Sequence, residues 1–140
     1  MTARVFLDSN IIVYLFDWRA PEKQRIAGQL LQGLVRDETL PVVSTQVLQE
    51  TYAALTRKLR MNPADALHDL RRMEEASFSV TTMDTALIWR AAMRSAADRI
   101  SFWDGLIVET ALASRCSRLY SEDLQAGRMF DGLEVINPFL

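Results

Sequence analysis

Along this chain short unbroken apolar runs alternate with longer stretches in which apolar residues recur every three to four positions. These are the signatures of buried strands and one-sided helices. Val5-Phe6-Leu7 is the first run, and it stops at Asp8-Ser9-Asn10 before a second apolar stretch, Ile11 to Phe16, read as a helix. Apolar side chains on both faces of a strand point to a parallel sheet. Asp17 to Pro21 is a short break with Trp18 outside. Pro21 then takes the first helical position, and Ile26, Ala27, Leu30, Leu31, Leu34 and Val35 form one stripe through Asp37.

Leu40–Val43 reads as the second strand. Ser44 or Thr45 caps a helix whose core stripe is expected at Leu48, Tyr52, Leu55 and Leu59. Asn62-Pro63 opens the next helix, with Leu67, Leu70 and Met73 facing in, and Phe78–Val80 is a third strand. Asp84 caps a helix expected to bury Ile88, Trp89, Ala92, Met93 and Ala96. Ser101 starts another, Phe102–Ser114, apolar all round and therefore interior. Arg118–Tyr120 and Glu134–Ile136 complete the strands. Strands alternating with helices define an α/β domain with right-handed crossovers, spanning residues 1–140 as one unit.

That topology gathers chemistry at one edge, because ligand crevices of open α/β sheets lie beyond the carboxyl ends of the strands. Asp8 (end of strand one), Asp104 (first turn of the interior helix), Asp123 (past strand four) and the helix carrying Glu50 are all placed there. Each acid has an ordinary explanation. Asp8 is a good N-cap, Ser101 with Asp104 three residues on is a capping box, Asp123 suits a turn, and Glu50 lies off the expected stripe. Asp104, however, shares a face with Val108 and Ala111 toward the sheet, where an unpaired carboxylate is costly and a cation should meet it. Glu122 is expected to face away from Ser121 and Asp123, and Glu109, off the Asp104 face, is set aside.

Convergence of these acids must be relieved. Two unit charges roughly 5 Å apart at an effective dielectric of about 20 cost about 3 kcal/mol, so either pKa values rise or a cation binds. An all-oxygen set suits Mg²⁺ or Mn²⁺ rather than zinc, since the chain has one cysteine, Cys116, and one histidine, His68, which is placed far from that edge.

Composition changes the picture little. The 140 residues are 49% hydrophobic, enough for a core without disulfides, and no apolar run nears the ~20 residues of a bilayer span. The lone cysteine suits a reducing cytosol, so a cytoplasmic protein without membrane attachment is expected. The formal charge of −2 excludes a global basic field. Locally, Arg57, Lys58, Arg60, Arg71 and Arg72 bracket one helix pair, and Arg90, Arg94 and Arg99 follow. Fourteen of the 16 basic residues are arginine, the better phosphate fork.

Taken together, LDSN near the start, the helix with Glu50, SFWDGLIVETAL and YSED before the last strand resemble the PIN-domain ribonucleases, and among these the VapC toxins of toxin-antitoxin pairs. The resemblance implies a PIN-like α/β/α sandwich with a five-stranded parallel sheet in order 3-2-1-4-5. It implies metal-dependent hydrolysis of RNA with Mg²⁺ (or Mn²⁺), Asp8 and Asp104 as principal metal ligands, Glu50 and Asp123 completing the acidic pocket, and Asn10 and Ser121 supporting it. Arg57, Lys58, Arg60 and Arg99 are the expected RNA contacts. The implied partners are an antitoxin, whose helix lies in a groove near the pocket against residues such as Phe16, Trp18, Tyr52 and Met61, and a second copy forming a homodimer.

Two rivals follow from the same residues. One is a PIN-like domain that binds RNA or a protein without cleaving. The other is an aspartate-dependent phosphatase of the haloacid dehalogenase type. That type needs a second aspartate where Asn10 stands and a lysine, and Lys23 and Lys58 are both expected away from the acidic edge.

Overall fold

The computed structural model describes residues 2–140. In chain order the elements are β1 (Arg4–Leu7), α1 (Ser9–Phe16), α2 (Pro21–Arg36), β2 (Leu40–Ser44), α3 (Thr45–Arg57), α4 (Pro63–Ala76), β3 (Ser79–Thr81), α5 (Thr85–Asp98), α6 (Phe102–Ala113), β4 (Arg118–Tyr120), β5 (Met129–Phe130) and β6 (Leu133–Ile136). The strands form one sheet in the order β3-β2-β1-β4-β6-β5. The expected five-stranded parallel order is present in β3-β2-β1-β4-β6, with every neighbouring pair parallel. A sixth strand, β5, was not foreseen. It pairs antiparallel with β6 through a tight turn at Asp131 (φ 50°) and Gly132 (φ 91°). Two consecutive residues at positive φ are the geometry of a type I′ hairpin, for which Asp-Gly is a favoured pair.

The central strands β1 and β2 are apolar on both sides and fully enclosed, with Val5, Phe6, Leu7, Val42 and Val43 all inaccessible to solvent. Helix α6 crosses the interior, and every residue from Gly105 to Ala111 is buried, as its lack of a polar face required. Its Glu109 is therefore a carboxylate inside the protein. Arg94 of α5 meets it at 2.6 Å and Arg90 at 3.7 Å, and Arg94 also bonds Asp98 and Asp131.

Two helices present other faces than their spacing suggested. In α3 the buried line is Val47, Thr51 and Leu55, whereas Tyr52 is exposed and Leu48 half-buried. In α5 Leu87 and Ala91 face in, while Trp89 and Met93 lie outside. Val35 of α2 and Leu67 of α4 are also exposed, and Trp18 is exposed as expected. In both helices the apolar residues spread over more than one face, so spacing alone does not say which of them meets the core. Among the described residues no helix is long and apolar enough to cross a membrane.

Candidate functional site

The carboxyl ends of β1 and β4 hold the centre of the site. Parallel pairing continues one step past both strands, with the Asp8 N–H donating to the Tyr120 carbonyl and the Ser121 N–H to that of Ile136. That backbone register sets Asp8 beside Ser121. Asp8 is 4% exposed and uses its two oxygens differently. Oδ1 accepts from the Ser9 N–H at 2.7 Å and caps α1, while Oδ2 accepts from the Ser121 hydroxyl at 2.7 Å and from the Asn10 amide at 3.4 Å. One side chain thus both caps α1 and joins Ser121 and Asn10 at the sheet edge.

Asn10 and Ser121 tie the remaining parts together. The Asn10 amide donates to Asp123 Oδ2 at 3.1 Å, and its oxygen accepts from the Glu122 N–H. Ser121 Oγ in turn accepts from the backbone N–H groups of Asp123 and Leu124. The loop after β4 is thus folded around the Ser121 hydroxyl, and Asp123 is turned toward Asp8.

Glu50 and Asp104 arrive on helices. Asp104 sits in the first turn of α6, where the Ser101 hydroxyl caps its N–H at 3.0 Å. Only the serine half of the capping box is formed with the backbone, and the carboxyl is left half-exposed toward the other acids. Glu50 follows Gln46 by one turn on the edge of α3 beside the Val47 line. It is exposed, as its position off the expected core stripe suggested.

The four acids are near enough for their charges to act on one another. Burial pushes the Asp8 pKa up to about 6, and the charges of Asp123 and Asp104 push the same way against the Ser121 and Ser9 hydrogen bonds. Glu50 is raised by burial and then by Asp8, Asp104 and Asp123. Asp104 is raised by burial and by Asp123, with the Ser101 hydroxyl opposing. Among the described residues none of the four forms an ion pair, so the cation expected opposite Asp104 is not supplied by the protein. Nor do any three His, Cys, Asp or Glu side chains among the described residues close into a ready-made metal cage. The arrangement is an open group of oxygen donors whose mutual repulsion favours a hard divalent cation or protons.

A cleft of about 620 Å³ opens beside this group. Glu50, Asp123, Asn10 and Ser9 line it together with Arg57, Lys58 and Arg19, while Asp8 and Asp104 lie outside its lining. Of the four basic residues proposed from sequence, Arg57 and Lys58 are at the cleft, and Arg60 and Arg99 are not among the residues that line it. Sequence reasoning missed a second polar group on the wall. Glu122, turned away from Ser121 as expected, accepts from the Tyr14 hydroxyl at 2.7 Å and pairs with Lys23. Burial raises the Glu122 pKa, but Lys23 and Tyr14 outweigh it and hold the carboxyl below its ordinary value. Lys23 and Lys58, expected away from the acidic edge, therefore both lie near it. His68 is exposed on α4, and burial pushes the Cys116 thiol up to about 12, which leaves it inert.

This fold is that of a known class. The family model described as PIN domain matches residues 5–129, and the chain belongs to that family. Among solved structures it is similar to a toxin-antitoxin complex from Klebsiella pneumoniae, at 19% identity and TM-score 0.69 over 96% of this chain and 97% of that one. It is similar to VapC20 of Mycobacterium tuberculosis, a toxin that cleaves the sarcin-ricin loop, at 19% identity and TM-score 0.60 over 85% and 89%. It also resembles VapBC2 from Rickettsia felis, bound to a DNA fragment from its promoter, at 15% identity and TM-score 0.67 over 94% and 96%. No curated protein matches the sequence.

Proposed function

We propose that this protein is a metal-dependent endoribonuclease and the toxin of a toxin-antitoxin pair. The observation that carries the reading is that Asp8, Glu50, Asp104 and Asp123, from four separate elements, lie within electrostatic reach of one another, with no ion pair to any of them among the described residues. The donor chemistry fits Mg²⁺ or Mn²⁺, since all four groups are carboxylates and neither thiolate nor imidazole is near. Asp8 and Asp104 are the principal ligands and Glu50 and Asp123 complete the set. Such an ion supplies a Lewis acid at the scissile phosphate and lowers the pKa of attacking water.

The protein's own residues do the rest. Ser121 and Asn10 fix the Asp8 carboxyl through hydrogen bonds to Oδ2, and Asn10 fixes Asp123 through the same amide. Arg57 and Lys58, on the cleft wall, hold the phosphates of a strand that the acids would repel. The membership in the PIN family and the fold shared with VapC toxins support this reading of the site.

The antitoxin reading has a surface to go with it. Leu48, Tyr52, Leu67 and Leu70 line an apolar groove of about 340 Å³ between α3 and α4, rimmed by Gln49, Arg71 and Glu74. A groove of this kind accepts the apolar face of an amphipathic helix. Assembly as a homodimer in the cytoplasm belongs to the same proposal.

The test is cleavage of RNA by the wild type, Asp8→Asn and Asp104→Asn, each with Mg²⁺, with Mn²⁺ and with chelator. Cleavage by the wild type only, and only with a divalent ion, is expected. RNA binding without cleavage under every condition would instead support a non-catalytic PIN-like domain.

A further inference from the structure

Gln46 lies one helical turn before Glu50 and is 6% exposed. Its amide Nε2 donates to the backbone carbonyl of Trp103 at 3.3 Å, across from α3 to the first turn of α6, in the residue next to Asp104. Glu50, one turn further on, is its neighbour along the same face of α3. A carbonyl requires a donor, so the amide is held with its nitrogen toward Trp103. Its oxygen, Oε1, is then buried without a partner. An unpaired buried amide oxygen lowers stability, and an unbranched apolar side chain at this position would carry no such cost. Stability therefore does not account for a glutamine here.

We propose that Gln46 is a positioning residue for the acidic pocket, its amide bridging the helix that carries Glu50 and the turn that carries Asp104. The inference rests on the reading of that pocket as a divalent-cation site. Polar groups that orient metal ligands typically contribute 10–100-fold to affinity or activity. Gln46 acts through Glu50 and Asp104 and touches no substrate itself.

The test compares the wild type with Gln46→Met, which preserves length and volume and removes both amide atoms, and Gln46→Asn, which keeps the amide on a shorter stem. Mn²⁺ affinity is measured by calorimetry, melting temperature in chelator by circular dichroism, and RNA cleavage with Mn²⁺ in parallel. The expected result for Gln46→Met is a loss of about tenfold or more in Mn²⁺ affinity and in kcat, with the melting temperature unchanged or raised. Gln46→Asn is expected to keep part of the affinity. Wild-type affinity and kcat in Gln46→Met would overturn the proposal while leaving the cation site standing. Parallel loss of affinity and melting temperature would also overturn it, in favour of a structural role. Failure of the wild type to bind Mn²⁺ would overturn the cation reading itself, and this inference with it.

Discussion

Asp8 holds a buried negative charge next to two others, and three donors do not fully compensate it. Its pKa in the folded protein, about 6, lies above the ordinary 3.8. The sign of the linkage follows. Below pH 4 the carboxyl is protonated in both folded and unfolded chains and costs nothing; between pH 4 and 6 the unfolded chain ionises first. Stability is therefore lost as pH rises through that window, approaching about 3 kcal/mol at neutral pH for a shift of this size. Asp8→Asn should raise the melting temperature at pH 7.5 in chelator, and the gain should vanish at pH 4. With saturating Mg²⁺ the order should reverse, because only the wild type is then stabilised by the ion. Thermal melts at the two pH values check this, and a lower melting temperature for Asp8→Asn in chelator at pH 7.5 would contradict it.

At the scale of elements, the α5–α6 pair is the tightest contact on the way from core to site. A Cβ on Gly105 would sit 2.7 Å from the Ala91 carbonyl oxygen, which is backbone and cannot swing aside. Gly105→Ala should separate the two helices and cost about 1–3 kcal/mol in chemical denaturation. As Gly105 follows Asp104, the variant should also impair cleavage. Arg94 binds Glu109 where both are largely buried, and removing it leaves a carboxylate with only the more distant Arg90. Arg94→Met should destabilise by about 2–4 kcal/mol, and the double variant Arg94→Met/Glu109→Met by less than Arg94→Met alone. Equal loss in the single and double variants would show that the pair is not what holds the helices.

These same elements mark how far the sequence could be read. The interior helix was legible because Leu106 to Leu112 leaves almost no polar side, and alternation gave the α/β class, while the strand order came only with the resemblance to a known family. The inner faces of α3 and α5 were not, since Tyr52, Trp89 and Met93 share the helical period with true core residues, and periodicity counts hydrophobicity rather than fit. Thr51, wholly buried, carried no apolar signal. The β5–β6 hairpin had a local mark in Asp131-Gly132 that went unused. At the site, Asp8 and Asp104 stood out as acids in apolar surroundings. Gln46, Lys23 and Glu122 did not, because their partners lie 57, 99 and 108 residues away along the chain.

On the scale of the whole molecule, a chain of net charge −2 that cleaves RNA, as proposed, must present an acidic pocket to a polyanion. Long-range attraction cannot do this, so local placement of charge has to. The cleft supplies it on one wall, where Arg57 and Lys58 from the end of α3 stand opposite the loop bearing Glu122 and Asp123. Lys23 is already engaged by Glu122 and Arg19 by Asp17, which leaves Arg57 and Lys58 as the cleft-lining cations without an acid partner among the described residues. In an Asp8→Asn background, to prevent cleavage, the double variant Arg57→Ala/Lys58→Ala should bind a single-stranded RNA oligonucleotide more weakly. The slope of log affinity against log salt should fall by about 0.7 for each phosphate contact removed, or about 1.4 in all. Arg60→Ala and Arg99→Ala, outside the cleft lining, should leave both quantities within experimental scatter. A fluorescence anisotropy titration at four salt concentrations separates these outcomes. An unchanged slope in the double variant, with a reduced slope in Arg99→Ala, would move the path of the RNA from α3 to the end of α5.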